Sequence, residues 1–150
     1  MVSEMGWIVL FLGLWMVCSV SGSGRKGIKT ILVPTDFLAS SDMALQVAIE
    51  LAVQQKARIY LLHVLRFRLS GNETEMMEKQ VAQFPEAKSV EIALEIRKGR
   101  IDNEILNVQT EKNVDLIVIG RHGRTELGHV LARNVTGKIK KKADCSVLVV

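Results

Sequence analysis

The sequence predicts an α/β fold, a parallel β-sheet covered on both faces by helices, and three observations lead there. From Lys26 onward short apolar runs alternate with amphipathic segments, the pattern of consecutive strand–helix–strand units with right-handed crossovers. Hydrophobic residues make up 48% of the chain but aromatics only 5%, so the core is built from Val, Ile, Leu and Ala, as in strands buried on both sides. The length of 150 residues suits one domain with a real core and would crowd two.

TILVP, residues 30–34, is the first predicted strand. Ser40 or Ser41 is placed to cap a helix running to about Gln55, with Ala44, Ala48, Leu51 and Ala52 on one face. RIYLLHVL, residues 58–65, is the second strand. Met77, Val81 and Phe84 recur at helical spacing as a core-facing stripe. SVEIALEI, residues 89–96, is the third strand; Ile101, Ile105 and Val108 mark a further helix; DLIVIG, residues 115–120, is the fourth strand and SVLVV the last. In the third strand Val90, Ile92, Leu94 and Ile96 alternate with Glu91, Ala93 and Glu95, which marks a partly wet face and hence an edge. SVLVV is apolar throughout and falls at the opposite edge, where its unpaired backbone calls for cover, so a homodimer through this C-terminal strand is expected.

The net charge of +4 suits anionic small molecules. It does not indicate nucleic acid: the lysines of KIKKKAD sit at a helix end, where cations complement the dipole, with no aromatics between them. Cys18 and Cys145 are the only cysteines, too few for a disulfide framework or a cysteine-rich metal site. His63, His122 and His129 lack metal-ligand spacing, and no metal or catalytic role is assigned to them. No Walker A pattern occurs, because GKI at Gly137 lacks both the hydroxyl and the upstream glycine, and no GxGxxG follows the first strand. Without paired carboxylates, a Ser/His/Asp grouping or an activated cysteine, no catalytic residue is named and an enzyme is not expected, beyond weak ATP hydrolysis at most.

Residues 1–24 differ in character from the domain expected over 25–150. WIVLFLGLWMVCSV, residues 7–20, is followed by SGSG and is shorter than the roughly 20 residues a span needs. Three readings stand: a signal-like segment, though MVSEMG before it lacks positive charge; a membrane anchor, with Arg25, Lys26 and Lys29 keeping the domain cytoplasmic; or a start assigned upstream of the true one. Membrane contact is expected only where this segment is retained.

Ligands of such sheets bind beyond the carboxyl ends of the strands, where the winding reverses between the first and fourth strands. Two segments meet there. In PTDF, Pro34 turns the chain and Asp36 can accept from a ribose hydroxyl or an adenine amine, or else form an Asx turn. In IGRHGRTELGHVLARN, Gly120 and Gly123 allow backbone N–H groups close to an anion, and a helix start follows.

KTILVPTDFLASSDMALQVAIELA, LLHVL, DLIVIGRHGRTELGHVLARNVTGKI and CSVLVV together resemble the universal stress protein domain, in order, over roughly residues 27–150. The resemblance implies a three-layer, Rossmann-like open twisted sheet of the adenine nucleotide alpha hydrolase-like group, with strand order 3-2-1-4-5 and a dimer through the last strand. It also implies a cytoplasmic stress-response role without a defined catalytic reaction. One branch of the family binds ATP or AMP, with Mg2+ accompanying ATP; the other lacks nucleotide binding, and the alternative for this chain is a non-nucleotide-binding dimeric scaffold acting through protein partners. The adenine pocket maps to Pro34, Thr35, Asp36 and Val64. The phosphate loop maps to Ile119, Gly120, Gly123 and Arg124 and on to Arg133, Asn134 and Val135. The binding branch carries glycine, two residues, glycine, nine residues, then glycine and serine or threonine. Gly120 and Gly123 match, whereas Arg133 and Asn134 stand where Gly and Ser belong. Arg133 either obstructs close backbone approach or grips phosphate in bidentate fashion, and Asn134 is expected to replace the serine as N-cap and phosphate donor.

Overall fold

The computed structural model describes residues 27–66, 71–121 and 129–150, apart from the side chains of 129–134. Five strands, β1 (Thr30–Thr35), β2 (Arg58–Leu65), β3 (Ile92–Lys98), β4 (Leu116–Ile119) and β5 (Ser146–Val149), form one sheet of order β3-β2-β1-β4-β5, and every pairing is parallel. The helices are α1 (Ala39–Gln55), α2 (Glu73–Ala82), α3 (Ile101–Glu111) and α4 (His129–Lys142), with a 3-10 turn over Pro85–Ser89. The predicted architecture and strand order are those observed, with β3 and β5 at the two edges.

Successive residues of a strand face opposite sides of the sheet, and in β1 both sides are dry: Ile31, Leu32 and Val33 are all fully buried. Ile31 and Val33 join Ile59, Leu61 and Val118 against Ala44, Leu45, Ala48 and Ile49 of α1 and Met77 of α2. On the other side Leu32, Leu62, Ile117 and Ile119 pack with Ile105 and Val108 of α3 and Ile139 of α4. Each large side chain so buried contributes about 1.5–3 kcal/mol. Two aliphatic layers, one per sheet face, therefore fix the sheet between α1/α2 and α3/α4.

β3 is the partly wet edge that its alternation predicted. Toward α3 it presents Glu95 and Arg97, which pair with Lys112 (2.9 Å) and Glu111 (2.7 Å) respectively, while the Lys112 ammonium lies 5.1 Å from the centre of the Tyr60 ring. The hydrogen bond from Lys112 holds the Glu95 carboxyl below the usual carboxylate range.

Three local expectations are corrected. β3 starts at Ile92 and runs to Lys98, because Pro85 opens a 3-10 turn that carries the chain through Ser89 before it extends. The N-cap of α1 is Leu38, and neither Ser40 nor Ser41 caps it: Ser41 lies buried in the first turn and donates its hydroxyl to the Leu38 carbonyl (2.8 Å). Asn134 is inside α4, not at its start, since the helix extends back to His129 through Leu131, Ala132 and Arg133, all good helix formers. Gly137 is likewise mid-helix and exposed. Lys140, Lys141 and Lys142 do occupy the last turn of α4, where cations complement the carbonyl end.

Candidate functional site

The site is built where β1 and β4 part. Their pairing covers Ile31↔Leu116 and Leu32↔Ile117, yet β1 continues to Thr35 and β4 to Ile119. The cause is in the sequence. The Thr30 carbonyl accepts from the Asp115 N–H (2.9 Å), and alternate residues of a strand address the same neighbour, so Thr30, Leu32 and Pro34 all turn their backbone toward β4. Pro34 has no N–H to give, and the ladder stops. The result is a crevice at the carboxyl ends of the two central strands.

One lip of this crevice is the loop from Thr35 to Leu38, shaped by its own polar groups. The Phe37 N–H donates to Thr35 Oγ1 and the Leu38 N–H to Asp36 Oδ1, both at 3.1 Å. Phe37 takes a left-handed conformation, φ 63°, which costs a non-glycine residue of order 1 kcal/mol or more, and its ring lies 4.5 Å from that of His63. His63 Nδ1 meets the Thr35 carbonyl at 2.9 Å; a carbonyl only accepts, so Nδ1 carries the proton. Behind the loop the Thr35 hydroxyl donates to Gln80 Oε1 (2.8 Å), and Gln80 Nε2 donates to Asp42 Oδ1 (2.6 Å). Thr35, Ser41 and Gln80 are all buried, so the hydroxyl of Thr35 faces the protein interior and only its backbone borders the crevice.

The opposite lip is the end of β4. Gly120 is buried, and a Cβ there would lie 2.0 Å from the Ser40 carbonyl oxygen and 2.3 Å from its carbon. The glycine is thus demanded by the close passage of β4 under the first turn of α1. Arg121 is exposed and its N–H donates to the Val150 carbonyl, while the Val150 N–H donates to Ile119 (3.0 Å), which ties the β4 exit to β5. Ile119 is buried in the α3/α4 layer, and Val64 and Val135 are half-buried against the same cluster, forming an apolar wall.

Of the residues read from sequence, Pro34, Thr35, Asp36, Val64, Ile119 and Gly120 therefore converge on one end of the sheet, and Val135 shares the wall. Asp36 is exposed at the lip and serves the Asx-type bond that its alternative reading anticipated. Gly123 and Arg124 lie outside the described residues, as do the side chains of Arg133 and Asn134. Sequence reasoning missed Phe37, His63 and Gln80. Gln80 was within reach of it: three residues after Met77, it stands on the inward face of α2, where a polar residue needs a buried partner.

A doubly wound parallel sheet that opens between β1 and β4, with a polar loop on one side and an apolar wall on the other, defines the class: an α/β domain with a crevice at its topological switch point. The comparisons with known proteins narrow it. Residues 27–150 match the model of the universal stress protein family. Universal stress protein MJ0531 of Methanocaldococcus jannaschii is 31% identical over 162 residues, covering 95% of this chain and 94% of its own. Universal stress protein YxiE of Bacillus subtilis is 29% identical over 143 residues, 80% of this chain and 97% of its own. Among solved structures, a universal stress protein in complex with cAMP matches 83% of this chain and 98% of its own with TM-score 0.68 at 22% identity. An Arabidopsis thaliana protein of the family with AMP bound matches 81% and 90% with TM-score 0.59 at 19% identity. The chain belongs to the universal stress protein family.

Proposed function

We propose that this protein is a dimeric stress-response regulator that binds an adenine nucleotide, ATP or AMP, as a controlling ligand rather than a substrate. The observation that carries the reading is the opening between β1 and β4, lined by Pro34, Asp36, Val64 and Gly120, at the one place where a sheet of this order receives ligands. Solved relatives with cAMP and AMP bound support the ligand class. Asp36 would meet the ribose or the adenine amine, Val64 would pack on the base, and the segment from Gly120 to Val135 would surround phosphate. The dimer is supported by β5, which has β4 on one side only and exposes Leu148 at 37%.

A second reading, a nucleotide-free dimeric scaffold working through protein partners, also has an observation behind it. Asp36 and Gly120 both have structural duties in the unliganded fold, one as an acceptor for Leu38 and the other beneath Ser40. One experiment separates the two. Purified protein is denatured and any released nucleotide identified by chromatography, beside an Arg133→Gly, Asn134→Ser double variant. Nucleotide in the wild type supports the regulator and shows whether it is ATP or AMP; nucleotide in the variant alone rejects it in favour of the scaffold. Adenine nucleotide a hundredfold above its dissociation constant should also stabilise the wild type by about 2.7 kcal/mol and lose that effect in Asp36→Ala.

A further inference from the structure

All five strands are parallel, so strand starts and helix ends gather at one end of the molecule and the candidate site at the other. The strand-start end is where the chain enters, at Gly27. It is also rich in unpaired cations. Lys29 precedes β1, Lys56 ends α1, Lys88 is in the turn before β3, and Lys140, Lys141 and Lys142 end α4; all six are exposed and form no ion pair with any described residue. Arg58 joins them, paired with Glu91. Acidic groups here offset part of this: Asp115 is taken up by the Lys29 and Thr30 N–H groups, Glu91 pairs with Arg58 and Glu111 with Arg97, leaving Glu86 and Asp144. Lysines at helix ends complement the carbonyl dipole, but Lys29 and Arg58 start strands and have no such duty. Lys29, Lys56 and Arg58, with Ser89 and one carboxylate, Glu91, rim a hollow of about 400 Å³ floored by Ala52, Val53 and Ala57, in which Val53 is 48% exposed. A basic rim over an apolar floor matches the chemistry of a headgroup–acyl boundary.

The sequence upstream supplies the second half. The apolar run Trp7–Val20 ends seven residues before Gly27, and seven residues reach at most about 25 Å. A bilayer holding that run keeps the strand-start end within about 25 Å of its surface, while the eight residues of β2 set the far end about 26 Å further away.

We propose that the strand-start end of this domain is a membrane-facing surface that docks on anionic phospholipid headgroups, tethered by the Trp7–Val20 run, with the candidate site turned toward water. Each lysine near an anionic leaflet strengthens association about fivefold, an effect confined to roughly a Debye length of the surface.

Lysine reactivity reads the orientation directly. The full chain is reconstituted with vesicles of phosphatidylcholine alone or of phosphatidylcholine with phosphatidylserine, acylated with a water-soluble reagent, and each lysine is quantified by mass spectrometry. On the anionic vesicles at low salt Lys29, Lys56, Lys88 and Lys140–Lys142 should react several-fold more slowly than on the neutral ones, and high salt should restore their rates. Lys79, next to Gln80 with its bond to Thr35 at the far end of β1, and Lys98, which ends β3, lie at the site end and should react equally on both. The exposed triple variant Lys56→Glu, Lys88→Glu, Lys141→Glu should lose docking by on the order of a hundredfold and free Lys29 and Lys142 to react. Equal protection of Lys79 and Lys98, the same rates on both vesicles, or a chain that does not associate with anionic vesicles would each overturn the proposal.

Discussion

Gly120→Ala tests whether this glycine serves the fold or an anion. The added Cβ would lie 2.0 Å from the Ser40 carbonyl oxygen, 2.3 Å from the Ser40 carbonyl carbon and 3.0 Å from its Cβ, against ordinary contacts near 3.4 Å and beyond. Relief requires the end of β4 and the first turn of α1 to separate by more than an ångström, although the first two turns of that helix bury Ser41, Ala44 and Leu45. Overpacking of a core costs about 1–3 kcal/mol, and with backbone as the obstacle the upper end applies, about 3 kcal/mol. At roughly 4 °C per kcal/mol for a domain of this size, the melting temperature should fall by about 12 °C. Gly137→Ala is the matched control: it is exposed and mid-helix, with no heavy atom within 4 Å of the new Cβ, and should gain about 1 kcal/mol. Both are read by thermal unfolding followed by circular dichroism without nucleotide. An unchanged melting temperature in Gly120→Ala, with only a ligand-dependent shift lost, would refute the packing argument and return the glycine to the anion.

Two further outcomes follow from buried polar groups. Asp102, buried in the first turn of α3, pairs with Arg100 (3.0 Å) and Lys138 (3.2 Å), and chiefly the Arg100 guanidinium holds its carboxyl down to about 2. Because the folded value is depressed, the pair stabilises above the unfolded carboxylate value of about 4 and that stability is lost as pH falls from there to about 2. Linkage alone would give about 2 kcal/mol, and solvent screening of the exposed Arg100 lowers this to about 1 kcal/mol. Asp102→Asn should therefore be less stable than wild type by that amount in urea at neutral pH, and a gap that persists undiminished in acid would contradict the assignment. Gln80→Leu strips Thr35 and Asp42 of a buried partner and should cost about 1–3 kcal/mol while speeding hydrogen exchange at the Phe37 and Leu38 amides. Lowered stability with unaltered exchange at those two amides would mean that the network supports α2 but not the loop.

Most of the fold could be read because the two aliphatic layers leave separate marks. β1, β2 and β4 need apolar residues on both faces, and β3 alternates because Glu95 and Arg97 meet Lys112 and Glu111. Element ends were less legible, for they depend on backbone hydrogen bonds that several residue types satisfy equally well. Leu38 caps α1 without a polar side chain because Asp36 reaches forward to its N–H, leaving Ser41 for Thr35 and Gln80. Nor does a helical stripe announce which residue beyond it will turn inward: Gln80 is polar by composition and buried by position.

The candidate site shows why motif residues and ligand residues need separating. Pro34 ends the β1–β4 ladder, Asp36 closes the turn into α1 and Gly120 admits that helix over β4, so all three are required to open the crevice whether or not anything enters it. Their presence establishes a geometry, and a nucleotide-free relative of the same fold would need them as much. The power to discriminate rests with Arg133 and Asn134, where the sequence departs from the pattern of the nucleotide-binding branch. Arg133 and Asn134 lie within the helical backbone of α4, which runs from His129 to Lys142. The Arg133→Gly, Asn134→Ser exchange should cost about 1 kcal/mol, chiefly for a glycine inside α4, while moving nucleotide occupancy, so melting temperature without ligand and occupancy read the two effects separately.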